Sequence, residues 1–222
     1  MKGVIQEPLP FSIGWLDCKR CELYKDRANV VLGIGNPRAD LFFLGPYPGP
    51  DEDKVGLPFI GAAGEALGLE LRHPKVDLTR DEIFIDNVVA CWPTREEGGK
   101  IVTGKPSLQA IKACKNRVWE AIYRVDPILI VALGDVALKA LTGDATNIGS
   151  ARGEIYMAKM PGFYKHVTYP VLATFNPAYI ARNPQDRTGT PRRLFREDLA
   201  EAKHLVAKLR ESYEDKEEER WL

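Results

Sequence analysis

Asp40-Leu-Phe-Phe-Leu-Gly45, running straight into Pro46-Tyr-Pro-Gly-Pro-Asp-Glu-Asp53, is the stretch that decides the fold of this chain. An uninterrupted apolar run leaves no face for water, so it reads as a strand buried on both sides. The glycines and prolines behind it end the strand in a loop. Three more stretches repeat the pattern: Ile83-Phe-Ile-Asp-Asn-Val-Val-Ala90, Ile128-Leu-Ile-Val-Ala-Leu-Gly134 and Val171-Leu-Ala-Thr174. Helical patterns over residues 60–72, 107–124, 136–141 and 191–210 fall between and after them. Strand-helix alternation predicts an α/β fold with a mostly parallel sheet covered by helices on both faces. In such sheets ligands bind at the carboxyl ends of the strands, so the loops beginning at Gly45, Asn87, Gly134 and Phe175 are where chemistry is expected. No repeat or linker divides the sequence, which predicts a single domain over residues 1–222. The charged run in residues 213–222 reads as a solvated helix end or a disordered tail.

The chain has four cysteines, and Cys18-Lys-Arg-Cys21 is a C-x2-C pair. With Cys91 and Cys114 it forms a candidate set of ligands for one metal centre, with none left over. Lys19 and Arg20 lower the cost of gathering anionic sulfurs. An iron-sulfur cluster and a four-thiolate zinc both fit this spacing. Lys plus Arg and Asp plus Glu each number 31, so no global charge draws the chain to nucleic acid, and any such site must be a local basic patch. No apolar run approaches the roughly 20 residues that span a bilayer, and MKGVIQEPLP lacks the apolar core of a secretory signal. A cytoplasmic monomer without membrane contact is expected.

The strand ends carry a resemblance. Gly33-Ile-Gly-Asn-Pro-Arg-Ala-Asp40, Gly45 to Asp53, Pro58-Phe-Ile-Gly-Ala-Ala-Gly64, Asn87-Val-Val-Ala-Cys91, Val131-Ala-Leu-Gly134, Arg152-Gly153 and Asn176-Pro-Ala-Tyr-Ile-Ala-Arg182 occur in that order. Together with the cysteines they resemble the iron-sulfur uracil-DNA glycosylases of family 4 over nearly the whole chain. The resemblance implies a three-layer α/β/α sandwich on a four-stranded parallel sheet. It also implies a structural 4Fe-4S cluster on Cys18, Cys21, Cys91 and Cys114, and DNA as the partner. The activity it implies is hydrolysis of the bond between deoxyribose and a flipped-out base, leaving an abasic site.

By the same resemblance Gly45 and Tyr47 border the base pocket and Phe59 stacks on the base, although a core phenylalanine is the plain alternative. Asn87 reads the pyrimidine edge, its amide both donating and accepting, unless it merely ties down backbone. Three departures stand beside these matches. The usual G-E-A-P-G places a glutamate where this chain has Pro46, which leaves Glu52, then Asp51, as candidates to order the attacking water. The usual His-Pro is Asn176-Pro177, and a lost donor of that kind typically costs about 100-fold to 1,000-fold. Asn176 can still donate to the departing base. The third departure is the long stretch from Trp92 to Lys105, which reads as a glycine-bearing mobile loop near the phosphate backbone. A related branch that bonds covalently to DNA carries Arg-Arg-Ile-His there. Here Ile101, Val102, Thr103 and Gly104 stand instead, so no covalent adduct is expected.

DNA contacts are expected from Lys105, Pro177, Arg182, Arg192 and Arg193, with Arg187 and Arg196 in the same basic stretch; salt bridges on a helix face are the alternative for the arginines from 192 onward. His73, His166 and His204 lie outside the motifs. The rebuilt first loop, with scaffold and pyrimidine reader kept, points to a modified and bulkier pyrimidine of the kind found in some phage DNA, and so to defence. Plain uracil repair and a non-catalytic cluster-bearing DNA-binding module are the rival readings.

Overall fold

A computed structural model describes residues 14–160, 167–183 and 190–219, with side chains as far as Glu211 in the last segment. The elements in chain order are β1 (Ile34–Gly35), β2 (Leu41–Gly45), α1 (Pro50–Val55), α2 (Ala62–Leu71), β3 (Ile83–Asn87), β4 (Thr94–Glu97), β5 (Lys100–Thr103), α3 (Leu108–Val125), β6 (Leu129–Leu133), α4 (Asp135–Thr142), α5 (Ile148–Ala151), β7 (Ile155–Met160), β8 (Val167–Thr174), α6 (Pro177–Arg182) and α7 (Thr190–Glu219).

The central sheet has the order β1-β3-β2-β6-β8-β7. β3, β2, β6 and β8 are mutually parallel, whereas β1 and β7 add antiparallel to the edges. The expected sheet of four is therefore the centre of a sheet of six. Neither edge strand had a buried apolar run to betray it: Ile155 and Met157 of β7 face solvent, and β1 is two residues long. β3 also stops sooner than expected. After Asn87 the chain leaves the ladder, while Val88 and Val89 still donate to the carbonyls of Gly45 and Pro46.

Side chains alternate across the pleat and divide the core into two layers. Phe42, Leu44 and Phe84 pack with Val118 and Ile122 of α3 and Leu138 of α4. Leu41, Phe43 and Ile85 face the opposite way and pack with Leu67 and Leu71 of α2 and with Phe195 and Leu199 of α7. This is the three-layer sandwich. α3 starts where Ser107 accepts the Ala110 N–H at 3.0 Å, and it ends at Asp126 in the left-handed region, φ 49°.

α7 is clamped to α2 through Glu70, whose buried carboxylate receives Arg192 Nε at 2.5 Å and Arg196 Nε at 2.7 Å. Burial pushes the Glu70 carboxyl up, but the bonds and charges of Arg196 and Arg192 prevail and hold it below its ordinary value. Arg193 pairs with Glu197 one turn along at 2.7 Å. Arg192 is thus tied to Glu70, whereas Arg193 bonds Glu197 on the exposed face of α7. Arg187, His166 and the end of the 213–222 tail lie outside the described residues. Among the described residues no helix is long and apolar enough to cross a membrane.

Candidate active site

Connections leave the carboxyl ends of β2 and β6 toward opposite sides of the sheet, which opens a crevice above them. A cavity of about 360 Å³ lies there, walled by Tyr47 and Asp51 after β2, Phe59 before α2, Asn87 at the end of β3, and Asn176 and Arg182 around α6. Three stretches far apart in sequence, residues 47–59, Asn87 and residues 176–182, thus meet at one place.

Asn87 is 1% exposed, and its side-chain oxygen is buried without a hydrogen-bond donor. An orphaned amide acceptor in a cavity wall is costly, on the order of 1–3 kcal/mol, and it is set to receive a donor from a bound molecule. Phe59 stands beside it in the left-handed backbone region, φ 54°, a strained conformation for a bulky residue. Arg80 holds that turn: its Nη2 donates to the carbonyls of Phe59 at 3.1 Å and Gly64 at 2.9 Å. Phe59 is therefore no ordinary core residue, although its ring is mostly buried.

Gly45 does not line the cavity; it makes room beneath it. A Cβ there would press into the Phe59 ring and come within 2.6 Å of Asn87 Oδ1. Gly45→Ala is accordingly expected to displace the Phe59 ring and the Asn87 amide together and to lower the activity of the site roughly 100-fold, the usual effect of misplacing a reacting group by about 1 Å. Single-turnover kinetics beside a circular-dichroism spectrum checks this, and unchanged turnover would refute it.

Asn87 is held from behind by a buried ion pair. Arg117 Nη1 reaches Asp86 Oδ2 at 2.6 Å, and its Nη2 donates to the backbone oxygen of Asn87. Asp86 Oδ1 in turn accepts the Asn87 N–H at 2.7 Å. Burial pushes the Asp86 carboxyl above its ordinary value despite the arginine. Neither residue was singled out in the sequence. A charged residue inside the apolar run from Ile83 to Ala90 was the available signal, since a buried carboxylate demands a partner.

The acidic end of the first loop turns out to be mostly framework. Glu52 takes the N–H of Gly49 on one oxygen at 3.0 Å and that of Gly61 on the other at 2.9 Å. Asp53 accepts from Ala28 and Asn29 and anchors the chain ahead of β1. Both oxygens of Glu52 thus help to close the loop, and the residue also lines the cavity. Asp51 is exposed at the cavity edge, and its side chain has no hydrogen bond or ion pair among the described residues.

Asn176 caps α6, its Oδ1 accepting the Ala178 N–H at 2.8 Å. That bond turns the acceptor inward and leaves the amide nitrogen as the free donor at the cavity. Pro177 opens α6 as its first residue and is buried, so the expected DNA contact from it is replaced by a structural one. The stretch after Trp92 is an antiparallel hairpin of β4 and β5 rather than an open loop. Gly98 and Gly99 form its tip at φ 59° and 75°, and Trp92 Nε1 is bonded to Thr103 Oγ1 at its base. Thr103 reaches the cavity, and Lys105 and Arg182 are exposed beside it.

Cys21, Cys91 and Cys114 belong to one buried cluster under α3, and Cys18 is half-buried next to them. The Cys18 to Cys21 loop is fastened to α3 by Trp15 Nε1 on Glu120 at 2.9 Å and by the Ser107 hydroxyl on Glu22 at 2.5 Å. None of the four is in a disulfide, and Cys21, Cys91 and Cys114 lie close enough that ionisation of one would raise the cost of ionising the others. Burial pushes the Cys91 thiol up to about 11, even with Arg27 Nη1 at 3.6 Å from its sulfur. Among the described residues no three His, Cys, Asp or Glu side chains close on the space of one metal ion.

Residues 32–200 match the model of the uracil-DNA glycosylase superfamily. The chain is similar to the type-4 uracil-DNA glycosylase of Thermotoga maritima, with 36% identity over 192 residues that cover 86% of this chain and 90% of that protein. It is similar also to the type-4 enzyme of Sulfurisphaera tokodaii, 33% identical over 86% of this chain and 81% of the relative. The type-4 enzyme of Archaeoglobus fulgidus is 31% identical over 78% and 82%.

Proposed function

The chain belongs to the uracil-DNA glycosylase superfamily, and from that premise we propose that it hydrolyses the bond between deoxyribose and a flipped-out pyrimidine in DNA. The observation that carries this reading is the buried, donor-less oxygen of Asn87 beside the strained Phe59. A pyrimidine imide presents a ring N–H next to a carbonyl, and one amide can pair with both while the phenyl ring stacks on the base.

Water adds to C1′ as the bond to the base nitrogen breaks, and the bonding electrons leave with the base. Asp51 orients the water and takes its proton, and its negative charge favours the positive charge that develops on the sugar. The Asn176 amide nitrogen donates to the base oxygen on which negative charge grows. Arg182, at the rim, faces the phosphate backbone. The cysteines Cys18, Cys21, Cys91 and Cys114 hold a 4Fe-4S cluster, which supplies a structural cross-link between the amino-terminal loop and α3.

The substrate is a modified pyrimidine bulkier than uracil. Two features support this: the rim Pro46-Tyr47-Pro48 is rebuilt, and Asn176 supplies a shorter, uncharged donor where a histidine is usual. The test is release of free base, read by mass spectrometry, from uracil-containing DNA and from phage DNAs with hypermodified pyrimidines. Release of a modified base alone supports the reading. Release of uracil alone replaces it with repair, and silence on all substrates replaces it with a non-catalytic DNA-binding module. On the best substrate Asp51→Asn is expected to lower turnover about 100-fold with DNA affinity unchanged, and an equal loss in Glu52→Gln without structural change would move the water to Glu52.

A further inference from the structure

Next to the base cavity lies a second one of about 580 Å³, above the ends of β6 and β8. The two share Pro46, Tyr47, Asn176 and Arg182, which form the ridge between them. Lys105 and Tyr179 line the second cavity and not the first. Neither Lys105 nor Arg182 has an ion pair among the described residues, so two cations stand over the cavity without a counter-charge of their own. The acid in the wall, Asp135, is occupied by the N–H of Ile148 at 2.6 Å. Tyr179 is 41% exposed, and Phe175 backs it with ring centroids 5.7 Å apart.

We propose that this second cavity seats the nucleotide next to the extruded one on the substrate strand. Its phosphodiester lies between Lys105 and Arg182, and its base stacks on Tyr179. Unpaired cations call for an anion, and an exposed aromatic face calls for a planar base; the pairing of the two is the chemistry of single-strand binding. A neutral substituent on the target base would satisfy only the aromatic side. Position argues the same way, since a strand passing over the Tyr47 and Asn176 ridge enters the second cavity as it leaves the first. Lys105 is held there by the hairpin of β4 and β5, which explains a use for that long connection. The inference rests on the first cavity being the base pocket.

The test is binding to single-stranded oligonucleotides that carry a stable abasic analogue, so no base need be released. One flanking phosphate at a time is replaced by a neutral methylphosphonate. In the unaltered protein one of the two replacements is expected to weaken binding about 10-fold, and in Lys105→Ala that same replacement should add nothing. Lys105→Ala should also lower the slope of log affinity against log salt by about one. Tyr179→Ala is expected to weaken binding about 10-fold when the neighbouring nucleotide has a base, and not when it is a baseless spacer. Losses in the variants that ignore the phosphate and the neighbouring base would overturn the second cavity alone. Failure of the unaltered protein to bind any of these strands would overturn the base-pocket reading with it.

Discussion

Asn87→Ala will cost about 1,000-fold in kcat/KM for base release, the scale set by losing a preorganised donor or acceptor at the reacting group. It will do so with almost no loss of stability. The asparagine oxygen is buried without a partner in the free protein, so the fold carries a desolvation cost that alanine removes. Opposite movements of activity and stability distinguish a recognition residue from a structural one. If Asn87 served to tie down backbone, alanine would lower both. Single-turnover base release and thermal melting measure the pair of effects. A variant that kept turnover within tenfold would end the assignment of Asn87 as reader.

Arg117→Met will do the reverse and strike stability first. Arg117 and Asp86 are 4% and 1% exposed, and removing the cation leaves a buried carboxylate with no counter-charge and only the Asn87 N–H to bond it. Breaking such a pair typically costs about 3–5 kcal/mol. Replacing both partners, Asp86→Leu with Arg117→Met, should recover most of that, because two well-packed apolar groups dispense with the charges altogether. The double variant should nonetheless remain poor in base release, since Arg117 also fixes the Asn87 carbonyl and Asp86 its N–H. Denaturant unfolding of the two single variants and the double variant completes the cycle. Stability of Arg117→Met within about 1 kcal/mol of the parent would show that the buried pair is not what holds the end of β3.

Both expectations concern one short piece of chain, and they differ in how visible their causes were. The apolar stretches around Phe42, Phe84 and Ile130 announced buried strands, and their carboxyl ends located the crevice before any coordinates did. The place of Asn87 at the cavity was legible because it ends such a strand. Arg117 was not, because on α3 it is one more basic residue in a helix; only its distance of 2.6 Å to Asp86, 31 positions back, reveals its task. Arg192 was illegible for a similar reason. A row of arginines looks the same on a DNA-binding face as on a helix packed over Glu70, and the partner of Arg192 lies 122 residues away.

The division has a physical basis. Strand and helix identity, the order of the parallel core strands' chemistry and the gathering of four cysteines into a candidate centre were determined by the sequence alone. Periodicity, apolar runs and ligand spacing are local properties that survive in a list of residues. The edge strands, the hairpin after Trp92, the hydrogen bonding of Glu52 and Asp51 and the second cavity were decided only by tertiary structure. A carboxylate becomes framework when backbone amides come within about 3 Å of it, as Gly49 and Gly61 do for Glu52. Asp51 is its neighbour in sequence, and no such amide reaches its side chain among the described residues.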